Sequence, residues 1–259
     1  MIKKIALYFT ILLSAAIILC AFNEASKNNP ASIIKDNNLH DKLSQDPRKI
    51  VLLVNLFGLI PAAEATFEDR GIELYEGREV IHLSGYARPL NFIRKFFNAR
   101  AEADSYMDKD KLHALRFRQK IIRPNKADER EIFYNQKDNF MEAEGVKRQI
   151  LPDTHDPFSA IFYLRKQPLR VGSALDLNIN TNQKNYQFLV KVTKREEYSI
   201  GSKKIGVWVL EAVVRRRDNN PYHKTTIKFW LLDNPSKTPI LFKAMTNVGQ
   251  VTARLTAIE

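Results

Sequence analysis

Tyr186-Gln187-Phe188-Leu189-Val190-Lys191-Val192-Thr193 is the stretch on which the reading of this chain turns. Tyr186, Phe188, Val190 and Val192 fall on one side of an extended backbone, with Gln187, Lys191 and Thr193 on the other. Successive side chains of a strand point to opposite faces, so a period of two marks a strand buried on one side. The same period recurs far from this stretch. In Ala63-Glu64-Ala65-Thr66-Phe67-Glu68 small and apolar side chains alternate with polar ones. Leu115 and Phe117 alternate with Arg116 and Arg118, and Val251, Ala253 and Leu255 oppose Thr252, Arg254 and Thr256. Turn residues separate the runs at Gly77, Gly201-Ser202, Asn219-Asn220-Pro221, Asp233-Asn234-Pro235-Ser236 and Gly249. A spacing of roughly 10–15 residues between such signals is that of a chain folding back and forth as antiparallel strands.

Helical signals are confined to two places. Leu90–Phe97 follows Pro89 and sets Phe92, Ile93, Phe96 and Phe97 at helical spacing. Asp156–Leu164 opens with Asp-Pro, which suits an N-cap and first helical position, and continues with Ile161 and Leu164 on one face. The expected fold is therefore mainly β: one large curled antiparallel sheet, a half-barrel or open barrel, with one or two short helices. A long flat sheet would expose costly edges, so it must curl. Its apolar face needs cover, and the sheet is expected to curl around Phe92, Phe96, Phe158, Phe162 or their neighbours, so that a helix plugs or lines the hollow. Space left beside them would suit an acyl chain.

The chain opens with Met1-Ile2-Lys3-Lys4, followed by the almost purely apolar run Ile5–Phe22. A basic end before an apolar segment is the export arrangement, because the cations stay on the cytoplasmic side. An apolar helix is expected here, as a signal peptide or membrane anchor over 1–22. A polar linker at 23–48 follows, with a short helix near Leu39–Leu43, and then an antiparallel β domain at 49–259. The expected location is outside the cytoplasmic membrane, periplasmic or held to the membrane by the N-terminal segment. Cys20 could carry a lipid, although Leu19 stands where a lipoprotein signal has a small residue.

Cys20 is the single cysteine, so the body of the protein has no disulfide, thiolate nucleophile or cysteine metal ligand. The formal net charge is +12. Setting aside residues 1–21, which carry Lys3, Lys4 and no acid, leaves 39 basic against 29 acidic side chains, a surplus of +10. Such a surplus favours encounters with anionic partners: lipid head groups, acidic envelope polymers or nucleic acid. Nucleic acid conflicts with export and is not expected.

Chemistry is hard to find along the chain. His40, His82, His113, His155 and His223 are not spaced as zinc ligands, and each reads as a surface or strand histidine. Glu142 and Glu144 are expected on one face of a strand, where paired carboxylates could serve hydrolysis or a hard cation, but with no third ligand or partner in view a solvated strand face is the preferred reading. Asp108-Lys109-Asp110-Lys111 reads as a turn. Ser159 lies in no nucleophile elbow, and with nine glycines in all there is no phosphate-cradling loop. Asp156 and Arg165 read as residues that complete the two ends of one helix. Arg215-Arg216-Arg217 reads as a solvated cluster at a strand end, with phosphate as its other use; Tyr198, Trp208 and Trp230 read as core or rim aromatics. No catalytic, cofactor-binding or metal residue is assigned, and no cofactor is expected.

Several segments, in order, resemble a known bacterial family. Val54-Asn55-Leu56-Phe57-Gly58-Leu59-Ile60-Pro61-Ala62-Ala63-Glu64-Ala65 runs a strand through a turn into a small-residue strand. Ala103-Asp104-Ser105-Tyr106-Met107-Asp108 precedes a strand beginning near Leu112. The Asp156-Pro157-Phe158-Ser159-Ala160 helix start leads to Tyr163-Leu164-Arg165, and a strand follows Gly172. Phe229-Trp230-Leu231-Leu232-Asp233, then Thr238-Pro239-Ile240-Leu241-Phe242 with Gly249-Gln250-Val251, complete the series. Together they resemble the domain-of-unknown-function 3108 family of bacterial envelope proteins over most of Lys49–Glu259. Ala63 stands where that family usually has glycine. The resemblance implies an envelope location and a curled antiparallel sheet, and it supplies no reaction. More loosely, such sheets are similar to the periplasmic lipoprotein carriers that hold acyl chains in a half-barrel. The expected function is a non-catalytic binding or structural module for a lipid, lipoprotein or anionic envelope polymer. The alternative is an envelope glycan or ester hydrolase using Glu142 and Glu144.

Overall fold

The structure is a computed structural model, and it describes residues 43, 46–200, 203–217, 224–246 and 249–259. The apolar segment 1–22 with Cys20, the expected helix near Leu39–Leu43 apart from Leu43 itself, and the turn at Asn219-Asn220 lie outside the described residues. Among the described residues no helix is long and apolar enough to cross a membrane.

The elements run β1 (Lys49–Leu56), β2 (Ile60–Tyr75), β3 (Arg78–Pro89), α1 (Asn91–Arg94), β4 (Arg100–Asp108), β5 (Ala114–Arg123), β6 (Lys126–Asn135), β7 (Phe140–Ala143) and β8 (Val146–Gln149). Then come α2 (Pro157–Lys166), β9 (Ala174–Thr181), β10 (Lys184–Ile200), β11 (Lys203–Arg216), β12 (Lys224–Leu232), β13 (Pro239–Thr246) and β14 (Gly249–Ile258). The expected architecture holds: one 14-stranded antiparallel sheet, ordered β8-β7-β6-β5-β4-β3-β2-β1-β14-β13-β12-β11-β10-β9. Every ladder joins strands that follow one another in the chain, except the pairing of β1 with β14.

The sheet curls because its strands are bent. Register slips between Asp69 and Gly71 in β2, and between Val192 and Lys194 in β10, each put an extra residue on one side of a ladder. Such bulges increase local twist and turn a strand's inner face toward the axis. Pairing does not close the ring, and β8 and β9 end the order. Their margins nevertheless meet. Arg148 Nη1 donates to Gln183 Oε1 at 2.6 Å, and Asn185 Nδ2 donates to the Gln149 carbonyl at 2.8 Å. The segment before α2 lies in the gap: His155 pairs in parallel with Ile179, and the Thr154 carbonyl accepts from the Ala114 amide at 3.1 Å.

Alternation places the core on the concave side. In β4, Ala101, Ala103, Ser105 and Met107 are buried, while Glu102, Asp104 and Tyr106 between them are half-exposed. Helix α2 fills the concavity, burying Phe158, Phe162 and Leu164 in one core with residues from both halves of the sheet. The Phe158 ring meets Phe67 and Phe117 edge-on, at centroid separations of 5.2 and 5.8 Å. Burying each phenylalanine contributes about 1.5–3 kcal/mol, enough to dock a ten-residue helix. Gly85 makes the fit possible, because a Cβ there would lie 2.5 Å from Phe158 Cζ.

Half of the expected plug is corrected. Phe92 and Phe96 do not enter the hollow; Phe92 stands exposed on α1 and Phe96 just after it. That helix has four residues and no side-chain cap, and it sits in the connection beyond the ends of β3 and β4. Of its aromatic group only Phe97 reaches the core.

Candidate functional site

Among the described residues a buried polar grouping surrounds Asp156. The residue is the N-cap of α2; its Oδ1 accepts from the Phe158 amide at 2.7 Å and the Ser159 amide at 3.1 Å. Its Oδ2 receives the Ser105 hydroxyl at 2.6 Å and lies 3.0 Å from the Ser159 hydroxyl oxygen. Ser159 reciprocates by accepting from the Asp156 amide at 3.0 Å, which completes a capping box. Burial pushes the Asp156 carboxyl up, and the hydroxyl and amide donors pull it back toward ionisation. Asp156, Ser105 and Ser159 are all wholly shielded from solvent. A carboxylate beside two hydroxyls can in principle activate a nucleophile. Here the hydroxyls are committed to the cap and no solvent reaches them, so the arrangement anchors a helix.

The neighbouring His155 is also inside. Its pKa is pushed down to about 4, first by burial and then by the nearby His113, so it is neutral near pH 7. Its ring tilts against Tyr163 at 5.0 Å, and its Nδ1 has no hydrogen-bond partner. His113 Nδ1 lies 3.1 Å from Asp153 Oδ1. His82 sits on the outer face between Glu73, at 3.3 Å, and Asp104, at 2.9 Å, and stacks on Tyr106 at 4.4 Å. That histidine donates to Asp104 and holds its carboxyl below the usual range. Among the described residues no three His, Cys, Asp or Glu side chains converge as a metal site would need. His40 and His223 lie outside the described residues.

The paired-carboxylate expectation is corrected. Glu142 is in β7, but Glu144 falls in the β7–β8 turn with a φ of 53°, so the two do not share a strand face. Glu142 is 3.8 Å from Lys147, and Glu144 is 3.9 Å from Arg130. Asp108 forms the expected turn, its Oδ1 accepting from the Asp110 and Lys111 amides at 2.9 and 2.8 Å. Arg165 does lie in the last turn of α2, but it spans loops as well: it donates to the Ser236 carbonyl at 3.0 Å and to Asp46 at 2.9 Å. Arg217 is held by Asn178 at 2.6 Å, while Arg215 stays exposed at the end of β11. Trp208, Trp230 and Tyr198 are partly buried against the core, and Trp230 donates to Glu196 at 2.9 Å.

What the sequence reading missed is at the end of the sheet that holds the β1–β2 turn and α1. Phe57 is 57%, Leu59 65% and Phe96 87% exposed, with Ile60 and Phe92 also exposed. The two pieces adjoin: Pro89 pairs with Ala63, and the Leu90 amide donates to the Ala62 carbonyl at 2.9 Å, which brings α1 beside the start of β2. Arg94 and Lys95 project from the same segment, and residues 90–99 contain no acid. The legible signal was Phe57-Gly58-Leu59, two large apolar residues flanking a turn glycine where exposed turns are normally polar.

A family profile for a protein of unknown function, DUF3108, matches residues 53–256. The chain belongs to the DUF3108 family. Its fold is shared by a β-barrel-like protein of another family of unknown function, DUF1849, from Brucella abortus: the TM-score is 0.54 at 11% identity, covering 81% of this chain and 95% of that one. Weaker likeness extends to the hypothetical lipoprotein YmcC of Escherichia coli, at a TM-score of 0.36 and 11% identity over 91% of this chain and all of that one. No curated protein matches the sequence. In this DUF3108 protein the Asp156-Pro157-Phe158-Ser159 segment thus has a structural meaning, as the buried cap and first aromatic of the helix that fills the sheet.

Proposed function

We propose that this DUF3108 protein is a non-catalytic binding module of the bacterial cell envelope, and that it recognises an anionic partner bearing acyl chains. The observation that carries the reading is the gathering of exposed Phe57, Leu59, Ile60, Phe92 and Phe96 at one end of the sheet, beside Arg94 and Lys95. Contiguous large apolar side chains on a soluble surface mark a place of binding, and adjacent cations select for negative charge. Helix α2 takes up the concavity with Phe158, Phe162 and Leu164, which favours the outer surface over the hollow as the binding surface. Export rests on the basic-then-apolar pattern of Met1–Phe22. In this reading 1–22 targets or tethers the chain, 23–48 links, and 49–259 is the binding domain.

The test is native mass spectrometry of the full chain, extracted in mild detergent from the membrane fraction of cells that express it. Retention of an anionic lipid or lipid-linked species is the expected result. A bare protein, or turnover of ester or glycan probes that is lost with a point substitution, would overturn the reading.

A further inference from the structure

We propose that the β1–β2 turn and α1 form a docking face that seats the domain on an anionic phospholipid bilayer; the inference rests on the reading above and specifies its surface. The turn itself supplies an independent reason. Phe57 and Gly58 both have positive φ, 52° and 72°, and the Leu59 amide donates to the Leu56 carbonyl at 3.1 Å. This is a turn whose first central position favours asparagine or glycine, because a bulky side chain in the left-handed region crowds its own backbone. A phenylalanine there works against the turn; its ring lies over Gly249, where a Cβ would come within 2.8 Å of Phe57 Cδ1, and it still leaves more than half its surface exposed. Such an outlier at an exposed tip points to use of the side chain outside the molecule.

Contiguity and charge name the occupant. Phe92 on α1, Phe96 just after it and the Phe57–Ile60 tip form one apolar edge, with Arg94 and Lys95 in the same segment; Arg88 and Arg100 nearby face Glu64 at 3.0 Å and Glu102 at 3.6 Å. An apolar edge that enters the acyl boundary, with cations at the head groups, is the arrangement of a protein lying on a charged membrane surface. A second exposed apolar pair, Ile72 and Leu74 at the far end of β2, alternates with Glu73 and neighbours Glu76, and Glu79 there is paired with Lys109 at 2.6 Å; that end mixes acids with cations, whereas residues 90–99 carry cations and no acid. The two ends therefore make opposite predictions.

The test uses the full chain with Cys20→Ser, reconstituted into vesicles, and one introduced thiol labelled with an environment-sensitive nitrobenzoxadiazole dye. Asn91→Cys puts the dye on α1; Asp110→Cys puts it in the β4–β5 turn at the opposite end. In vesicles containing phosphatidylglycerol the α1 dye should shift to the blue and become at least about threefold less accessible to an aqueous quencher. In pure phosphatidylcholine vesicles, or in high salt, it should stay wet. The Asp110→Cys dye should stay wet throughout. Phe57→Asn with Phe96→Ser, and separately Arg94→Glu with Lys95→Glu, should each abolish the shift without lowering the thermal unfolding midpoint. An α1 dye equally wet in both lipids, or an equal shift at the opposite end, overturns the proposal. Protection of the α1 dye by a soluble anionic glycan without vesicles also overturns it, in favour of a polymer partner. If the dye stays wet but native mass spectrometry still finds bound anionic lipid, docking fails and the broader reading stands.

Discussion

Helices α1 and α2 leave the same sheet at opposite ends and use their phenylalanines in opposite ways. Ten residues long, α2 has a buried capping box at its start, and Phe158 and Phe162 point into the core. With four residues and no side-chain cap, α1 turns Phe92 to solvent, and Phe96 just beyond it is exposed as well. Composition does not separate them, since both are aromatic-rich and basic toward their ends. The difference lies in what precedes each. Asp156 has a ready partner in Ser105 across the concavity, and Gly85 leaves room for a ring. A helix so fixed spends its aromatic surface on stability, whereas the α1 segment, held by backbone bonds and by Phe97, leaves Phe92 and Phe96 exposed.

Removing the Asp156 carboxylate should break the comparison most sharply. Asp156→Ala strands the Ser105 hydroxyl and two amides in a dry site, and a loss of about 3–5 kcal/mol is expected in urea unfolding. Acid should act next, through His155. Its folded pKa of about 4 lies below the ordinary 6.5, so the unfolded chain binds a proton that the folded one refuses. Stability is thus full above pH ~6.5 and declines as the pH falls toward 4, by up to about 3 kcal/mol. His155→Gln should flatten that part of the stability–pH curve while leaving the contribution of the carboxylates. Gly85→Ala drives a methyl into the Phe158 ring and should cost about 1–3 kcal/mol; combining it with Phe158→Leu should recover part of the loss. At the other helix the same measurements should hardly move. Phe96→Ser is expected to stay within about 0.5 kcal/mol of the parent. Phe57→Asn should be neutral or raise stability by up to about 1 kcal/mol, because asparagine tolerates the left-handed turn. A large loss from either would show α1 and its neighbour to be structural after all.

The period of two in Tyr186–Val192 or Val251–Leu255 made the sheet legible, because half-burial writes itself directly into side-chain order. The Asp-Pro start of α2 was legible for the same local reason, as capping depends on residues a few positions apart. The fate of Phe92 and Phe96 was not. Their helical spacing is real, but which of two aromatic helices fills a concavity depends on Ser105, Gly85 and Phe117, which reach the same spot from three different strands. Glu142 and Glu144 misled for a related reason. Alternation implies a shared face only while the strand lasts, and β7 ends at Ala143, one residue before Glu144. The apolar rim was written in Phe57-Gly58-Leu59, although a strand reading takes large apolar residues as core by default.

The one ladder that joins distant parts of the chain, β1 with β14, also has a consequence for assembly and for engineering. It brings together residues as far apart as Val51 and Thr256, whose side chain donates to the Val51 carbonyl, 205 positions away. All other pairings can form as hairpins or across short connections, so closure of this one loop should govern the folding rate. The same ladder lays the start of β1 against the end of β14, with the Lys49 amide 3.1 Å from the Glu259 carbonyl. A short glycine-rich link from Glu259 to Lys49, with new ends opened at Pro124-Asn125 in the β5–β6 turn, would convert the slowest pairing into a local hairpin. Such a permuted domain should refold faster than the parent while keeping every strand neighbour it has now.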